Sequence, residues 1–440
     1  MSPRPVPAWT AGTLLYALVI VAVLAMISAA FISLSSWQRL LFGRDGLRER
    51  LTRQAVEGIG ALLQPGAFPG DRPVLLPLAD GEDTLLLERR PWGLFDLCLA
   101  RTWRHTAQRR ETALCIALAG LAPDSIGQSA LYLQDRGGPL MLAGNSRIRG
   151  TVYLPMGGIR PGHVNTRGFS GQKMLDGTLK RSQRRLPPLD EDRLRRLLAL
   201  MPGPGGTPAS PAALRTPPDE IRVPFDSTTL VIRDKVLDLA GRRLSGNIML
   251  LADSLLLAGP GARLDDVLLF APEIRIDSGC TGAFQAFATR SILLHDGATL
   301  DYPSALALLQ PPAPATAPAT ATAPATAHCH LGLRCRLSGF LFAWTADPRP
   351  DDPPPAVFVG AGSIVTGQVY AAGNLELQGA IHGHVTCASF MLHTPVTDYG
   401  NHLLDVVLDA TLRPPPFAGT MVYGDPRAPR RVARWLAKPE

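Results

Sequence analysis

Four residues near one another, His328, Cys329, His330 and Cys335, have the side-chain types that ligate zinc. A structural zinc site draws two ligand pairs at fixed spacing, and no second pair accompanies these. No CxxC occurs, and the other cysteines, Cys98, Cys115, Cys280 and Cys387, are scattered. A loop disulfide between Cys329 and Cys335, or free thiols, is therefore the expectation. Residues 168–173 (Gly-Phe-Ser-Gly-Gln-Lys) have the residue types of a phosphate-binding loop without its spacing. Neither a Gly-x-Ser-x-Gly elbow nor a His-Glu-x-x-His pair is found. His382 and His384 fall on one face of a strand, where solvent exposure explains them. Asp265, Asp266, Asp277 and Asp301 are the carboxylates that polysaccharide cleavage would need, but they do not recur at a common step. The reading is of no catalytic residue, no metal and no cofactor; the chain is expected not to be an enzyme.

The elements that carry these residues begin with an apolar run. No charged side chain occurs from residue 8 to residue 38, and residues 14–32 are nearly all Leu, Val, Ile, Ala, Met and Phe. About twenty such residues span a hydrocarbon core of roughly 30 Å, and Trp9 and Trp37 bracket them as interfacial aromatics do. A cleaved signal peptide is the competing reading; the length of the run and the single Arg4 before it favour an uncleaved anchor. Five arginines follow the span, which by the positive-inside rule places the body in the cytoplasm. Leu40, Leu47, Leu51, Ala55, Ile59 and Leu62 then continue at helical spacing. This layout resembles the N-terminal stalk of pilin-like proteins, whose bodies lie outside, although the leader-peptidase site and the acidic residue of major pilins are missing. An extracytoplasmic body is the side taken here.

Beyond residue 73 the pattern is of short apolar runs between turn residues, which predicts strands. Residues 189–201 are the exception, a helix by its apolar spacing, with Asp190 as cap. From residue 218 the strands recur. Residues 254–257, 273–276 and 291–294 keep a step of about eighteen, as do Gly261, Gly279 and Gly297. Such units bury their apolar residues only by stacking. Residues 360–385, with Val and Ile strands between Gly turns, resemble a bactofilin-type stretch, which implies a compact β-helix that polymerises end to end.

The expected fold is mainly β. An N-terminal segment (1–8) leads into a transmembrane helix (9–36) and a juxtamembrane amphipathic helix (37–63). A β-rich domain (73–187), a short helix with a Pro/Gly linker (188–217) and a β-solenoid (218–412) follow. A mobile Pro/Ala/Thr insertion (311–327) interrupts the solenoid, residues 347–355 form a shorter extrusion, and a basic tail (413–440) ends the chain with Val432, Trp435 and Leu436 docking as a short helix. Net charge is +7, but the basic residues are read as spread along the chain with acids interleaved, so nucleic acid is not an expected partner. No small-molecule substrate is evident. The expected partners are the lipid bilayer and either a second copy or another envelope protein. The functional expectation is a non-enzymatic single-pass scaffold of a bacterial inner membrane that assembles through its bactofilin-like β-solenoid. A pilin-like component of a secretion or pilus machine is one alternative; a surface β-helix that binds or cleaves glycans is another.

Overall fold

The structure, a computed structural model, describes residues 11–66, 72–78, 81–105, 110–202, 216–312, 327–346 and 356–438. The N-terminal segment, most of the 311–327 insertion, residues 347–355 and most of the Pro/Gly linker lie outside them.

The chain is mainly β, with one long helix at its start. That helix, α1 (Ala11–Leu63), is continuous over 53 residues. No proline interrupts it, and Pro65 follows its end. Among the described residues it is the one helix long and apolar enough to cross a membrane, by length and composition. Its two halves differ in surroundings. Leu15, Leu18, Ile20, Leu24, Ile27 and Phe31 are exposed, whereas Leu51, Ala55, Ile59 and Leu62 are fully buried.

The buried half lies on an antiparallel sheet. Strands β1 (Val74–Pro77), β2 (Asp83–Trp92), β3 (Phe95–His105) and β4 (Arg110–Leu121) follow one another, and the C-terminal strand Arg430–Ala437 pairs with β4. Residues 430–437 are thus a strand and not the expected helix. The open edge of β4 supplies backbone partners, and the strand's residues divide between two faces: Val432 packs toward α1, Leu436 toward the layer beyond. Alternating β3 residues do the same. Cys98 and Ala100 meet α1, while Leu97 and Leu99 face away.

Most of the remaining strands pair in parallel as three ladders of one sheet that closes around a common apolar core; a separate three-stranded sheet, the hairpin of residues 163–168 and the antiparallel pairing of Asp398–Gly400 are the exceptions. In one ladder Ile232, Leu250, Leu269, Ala286, Leu306, Leu341, Val369 and Val385 lie side by side, and Leu131 and Val152 continue the row. In a second, Leu256, Ile274, Ile292, Cys329, Val357, Leu375 and Phe390 are aligned. The eighteen-residue step is visible here as Leu256–Ile274–Ile292. The stretch 73–187 therefore divides: β1–β4 form the antiparallel sheet, whereas Leu131–Leu133, Arg147–Arg149, Val152–Leu154, Leu175–Asp176 and Leu179–Arg181 extend the ladders beyond residues 380–409.

A glycine row marks one bend. Gly339, Gly367 and Gly383 are in register, with φ of +142°, +145° and +147°. A Cβ on Gly367 or Gly383 would sit 2.0 Å from the carbonyl oxygen of the glycine in the strand beneath. Only glycine fits there.

Between the antiparallel sheet and the ladders lies a second core rich in aromatic rings. Phe95 meets Phe340 edge-on at 5.4 Å, and Phe270 stacks on Phe287 at 4.9 Å. Gln285 joins the two layers, accepting from Leu94 N at 2.8 Å and donating to Trp92 O at 3.1 Å. The order of layers is helix, antiparallel sheet, parallel ladders.

Candidate functional site: the clamped helix and the polar clusters behind it

The attachment of α1 to the sheet is built from close packing and one buried carboxylate. Gly58 lets the helix approach: a Cβ there would lie 2.9 Å from Leu87 Cδ2. Asp83, at the start of β2 and 1% exposed, faces the helix. Arg50 Nε is 3.2 Å from it, Gln54 Nε2 donates at 2.9 Å, and Arg104 of β3 donates from the other side. Burial raises the Asp83 pKa, but the hydrogen bonds from Arg104 and Gln54 and the charges of Arg104 and Arg50 outweigh it, so the carboxyl titrates below its usual range. Thr102 Oγ1 donates to Leu51 O at 2.8 Å, and Arg44 reaches Glu111 at 3.1 Å. The second half of the helix is thus fixed to the sheet, while the described apolar side chains of its first half are exposed.

A second carboxylate ties the sheet to its surroundings. Asp96 of β3 takes Arg193 from α2 (Glu191–Ala199, capped by Asp190 Oδ1 accepting from Arg193 N at 3.0 Å), with Arg430 at 3.7 Å and Arg89 at 3.9 Å. Arg193 Nη1 and Arg430 Nε and Nη1 are buried without a hydrogen-bond acceptor. Three guanidiniums thus gather around one carboxylate.

His384 is fully buried, not solvent-exposed as expected, because residues 123–130 and the loop carrying Tyr423 cover that stretch of the strand. Its Nδ1 is 2.9 Å from Ser129 O, a carbonyl that only accepts, so Nδ1 carries the proton. Nε2 then accepts, 2.7 Å from Thr386 Oγ1 and 2.9 Å from Tyr423 OH, which are 2.7 Å from each other. Two hydroxyl protons serve these contacts, and the cluster satisfies itself. Burial pushes the imidazole down to about 3, so it is neutral. Neutral, enclosed and self-satisfied, it acts as a packing element.

The cysteines and the other histidines do not form a ligand set. Cys329 faces the interior between Ile292 and Val357, whereas His328 is exposed and His330 stacks on Phe358 at 4.4 Å. Cys335 sits past a turn, its Sγ 3.1 Å from His295 O. All six cysteines are buried and unbridged in the structure, Cys329 and Cys335 among them. The strand turns Cys329 into the core while Cys335 is committed to the turn. Among the described residues no group of three His, Cys, Asp or Glu is placed to hold a metal ion.

Of the four aspartates, the fold brings two together. Asp265 and Asp266 line a cleft of about 350 Å³ between the ladders and the C-terminal strand, shared with Arg222, Phe225, Arg434 and Trp435. Arg434 Nη1 lies 3.3 Å from Asp266. Burial raises Asp266 to about 6, with Arg434 opposing and Asp265 adding. Asp277 and Asp301 do not line this cleft. Residues 170–173 of the false phosphate loop line a different, open groove of about 520 Å³ with Arg147, Arg149 and Asp409. Sequence reasoning passed over Arg147 and Arg149, although a running charge along the chain would have found them. Comparison with known protein families, with curated proteins and with solved structures returns no match.

Proposed function

We propose that this chain is a non-enzymatic structural component anchored in a membrane by α1, with a rigid β-solenoid as its displayed body. The observation that carries the reading is the division of α1. One unbroken helix is clamped to the sheet by Asp83 over its second half and offers an unpartnered apolar surface over its first. A helix of that composition is stable in lipid, where its backbone is already satisfied. It is also suited to pack beside the same helix of another copy, as in a pilin-like assembly. The parallel ladders are read as the coils of the solenoid, since each strand finds its partner one step along the chain.

End-to-end polymerisation of a bactofilin-like solenoid is the rival. The terminal strands bear on this: residues Leu230–Asp238 carry Arg233, Asp234 and Lys235, and residues Leu179–Arg181 carry Lys180 and Arg181. Charges on open edges oppose strand addition. Stalk assembly is therefore preferred.

The test uses the full chain in lipid vesicles. Leu24→Arg places a charge mid-span at a cost of roughly 2.5–3.5 kcal/mol. Together with Ile20→Arg it is expected to release the protein from floating vesicles and abolish assemblies seen by electron microscopy, with the circular dichroism of the body unchanged. Filaments that persist in the released variant would favour assembly through the solenoid ends.

A further inference from the structure

Between residues 131 and 186, ten Lys and Arg stand against two acids, a surplus of eight where the whole chain carries +7. The basic residues occur along the whole chain, but the net positive charge is concentrated in this stretch, where acids are few. Arg147, Arg149, Lys180 and Arg181 lie on the last strands of the ladders, Arg160 and Arg167 on short strands of two smaller sheets, and the other four in the connecting segments; all ten are exposed. Some are partly neutralised. Asp176 holds Arg149 at 3.3 Å and Lys173 at 2.8 Å, Asp405 holds Arg167 at 2.6 Å, and Asp409 lies 4.0 Å from Arg149. Among the described residues Arg147, Arg160, Lys180, Arg181, Arg184 and Arg185 have no carboxylate in ion-pair range. Within this end lies the open groove of about 520 Å³, with Arg147, Arg149 and Lys173 beside the neutral hydrogen-bonding side chains of Asn145, Ser170 and Gln172.

We infer that this end of the ladders is a binding surface for a linear anionic polysaccharide, its acidic groups on the arginines and its hydroxyls on Asn145, Ser170 and Gln172. Exposed cations concentrate a polyanion by counterion release, and a chain of linked sugars follows a groove that a flat bilayer cannot enter. Nucleic acid is the poorer fit. Tyr132 is buried, Tyr153 is half-buried beneath Lys180, whose Nζ lies 5.5 Å from its ring, and Phe169 is half-buried, so the tyrosines and this phenylalanine offer no fully exposed ring for a base to stack on. This surface is independent of how the stalk assembles.

The experiment measures binding of the full chain, held in lipid nanodiscs, to polygalacturonate and dextran sulfate. Neutral dextran, a thymidine 30-mer and phosphatidylglycerol vesicles are the comparison probes. Both acidic polysaccharides are expected to bind and neutral dextran not to. Arg147→Gln/Lys173→Gln/Arg181→Gln should weaken binding at least tenfold, and Lys235→Gln/Arg243→Gln at the opposite end less than twofold. Should the triple variant misfold, Arg147→Gln alone is expected to cost about threefold. The inference is overturned if neither polysaccharide binds, if the two ends matter equally, or if the oligonucleotide or the vesicles bind more tightly than the polysaccharides.

Discussion

The antiparallel sheet and the parallel ladders lie face to face, yet they are held together by opposite means. In the sheet layer, Thr102 aside, the buried polar groups are charged: Asp83 between Arg50 and Arg104, Asp96 among Arg89, Arg193 and Arg430. In the ladders, Asp409 aside, they are neutral. Asn247 donates to Ser227 O at 2.7 Å, Ser363 to Gly332 O at 2.7 Å, and His384 is uncharged. The difference follows from what each region joins. The ladders repeat one contact, so aligned aliphatic residues and glycines suffice. The sheet must collect segments distant in sequence, α1, α2 and the C-terminal strand, and charge gives each a single seat. Removing a charge should therefore damage the sheet layer, and altering shape should damage the ladders.

The largest expected effect is at Asp96. Asp96→Asn leaves three guanidiniums around a neutral amide, and breaking a buried ion pair costs about 3–5 kcal/mol. Urea unfolding of the full chain in detergent micelles should show that loss, and a change below 1 kcal/mol would remove the contrast. At the glycine row, Gly367→Ala brings a Cβ against the Gly339 carbonyl at positive φ. The cost is on the order of 2–3 kcal/mol, read as a lower melting temperature.

A smaller effect depends on pH. Because the folded His384 pKa is about 3, below the ordinary 6.5, its stabilisation is complete above pH 6.5. It is lost as pH falls toward 3, at up to about 1.4 kcal/mol per unit. Asp266, raised to about 6, acts in the opposite sense between 3.8 and 6. Comparing the protein with His384→Gln isolates the histidine: the advantage of the native residue should shrink steadily from pH 6.5 to 5. The smallest effect belongs to Trp435, which is 38% exposed at the cleft; Trp435→Ala should change the melting temperature by no more than a degree or two.

Much of this was legible in the sequence where a local rule fixes the structure. The apolar run at 14–32 can only be a helix of this kind, and Gly261, Gly279 and Gly297 announce a stacked β fold by their step. What was not legible rests on long-range pairing. Nothing near Leu131 indicates that it aligns with Val385, 254 residues away. His384 reads as exposed until the segment around Ser129 and the loop of Tyr423 close over it. The C-terminal strand reads as an amphipathic helix because only the free edge of β4 selects the extended form. The basic end of the ladders was present as a charge surplus, hidden by averaging over the whole chain.

The most direct test of assembly through the stalk uses the burial of all six native thiols. Single cysteines are placed at Ile27 in the exposed half of α1, and at Lys180 and Lys235 on the two ladder ends, in the full chain in membranes. A short bis-maleimide is then added. Stalk assembly predicts covalent dimers from Ile27→Cys and monomers from Lys180→Cys and Lys235→Cys. Dimers from the two ladder-end positions, with Ile27→Cys remaining monomeric, would contradict it.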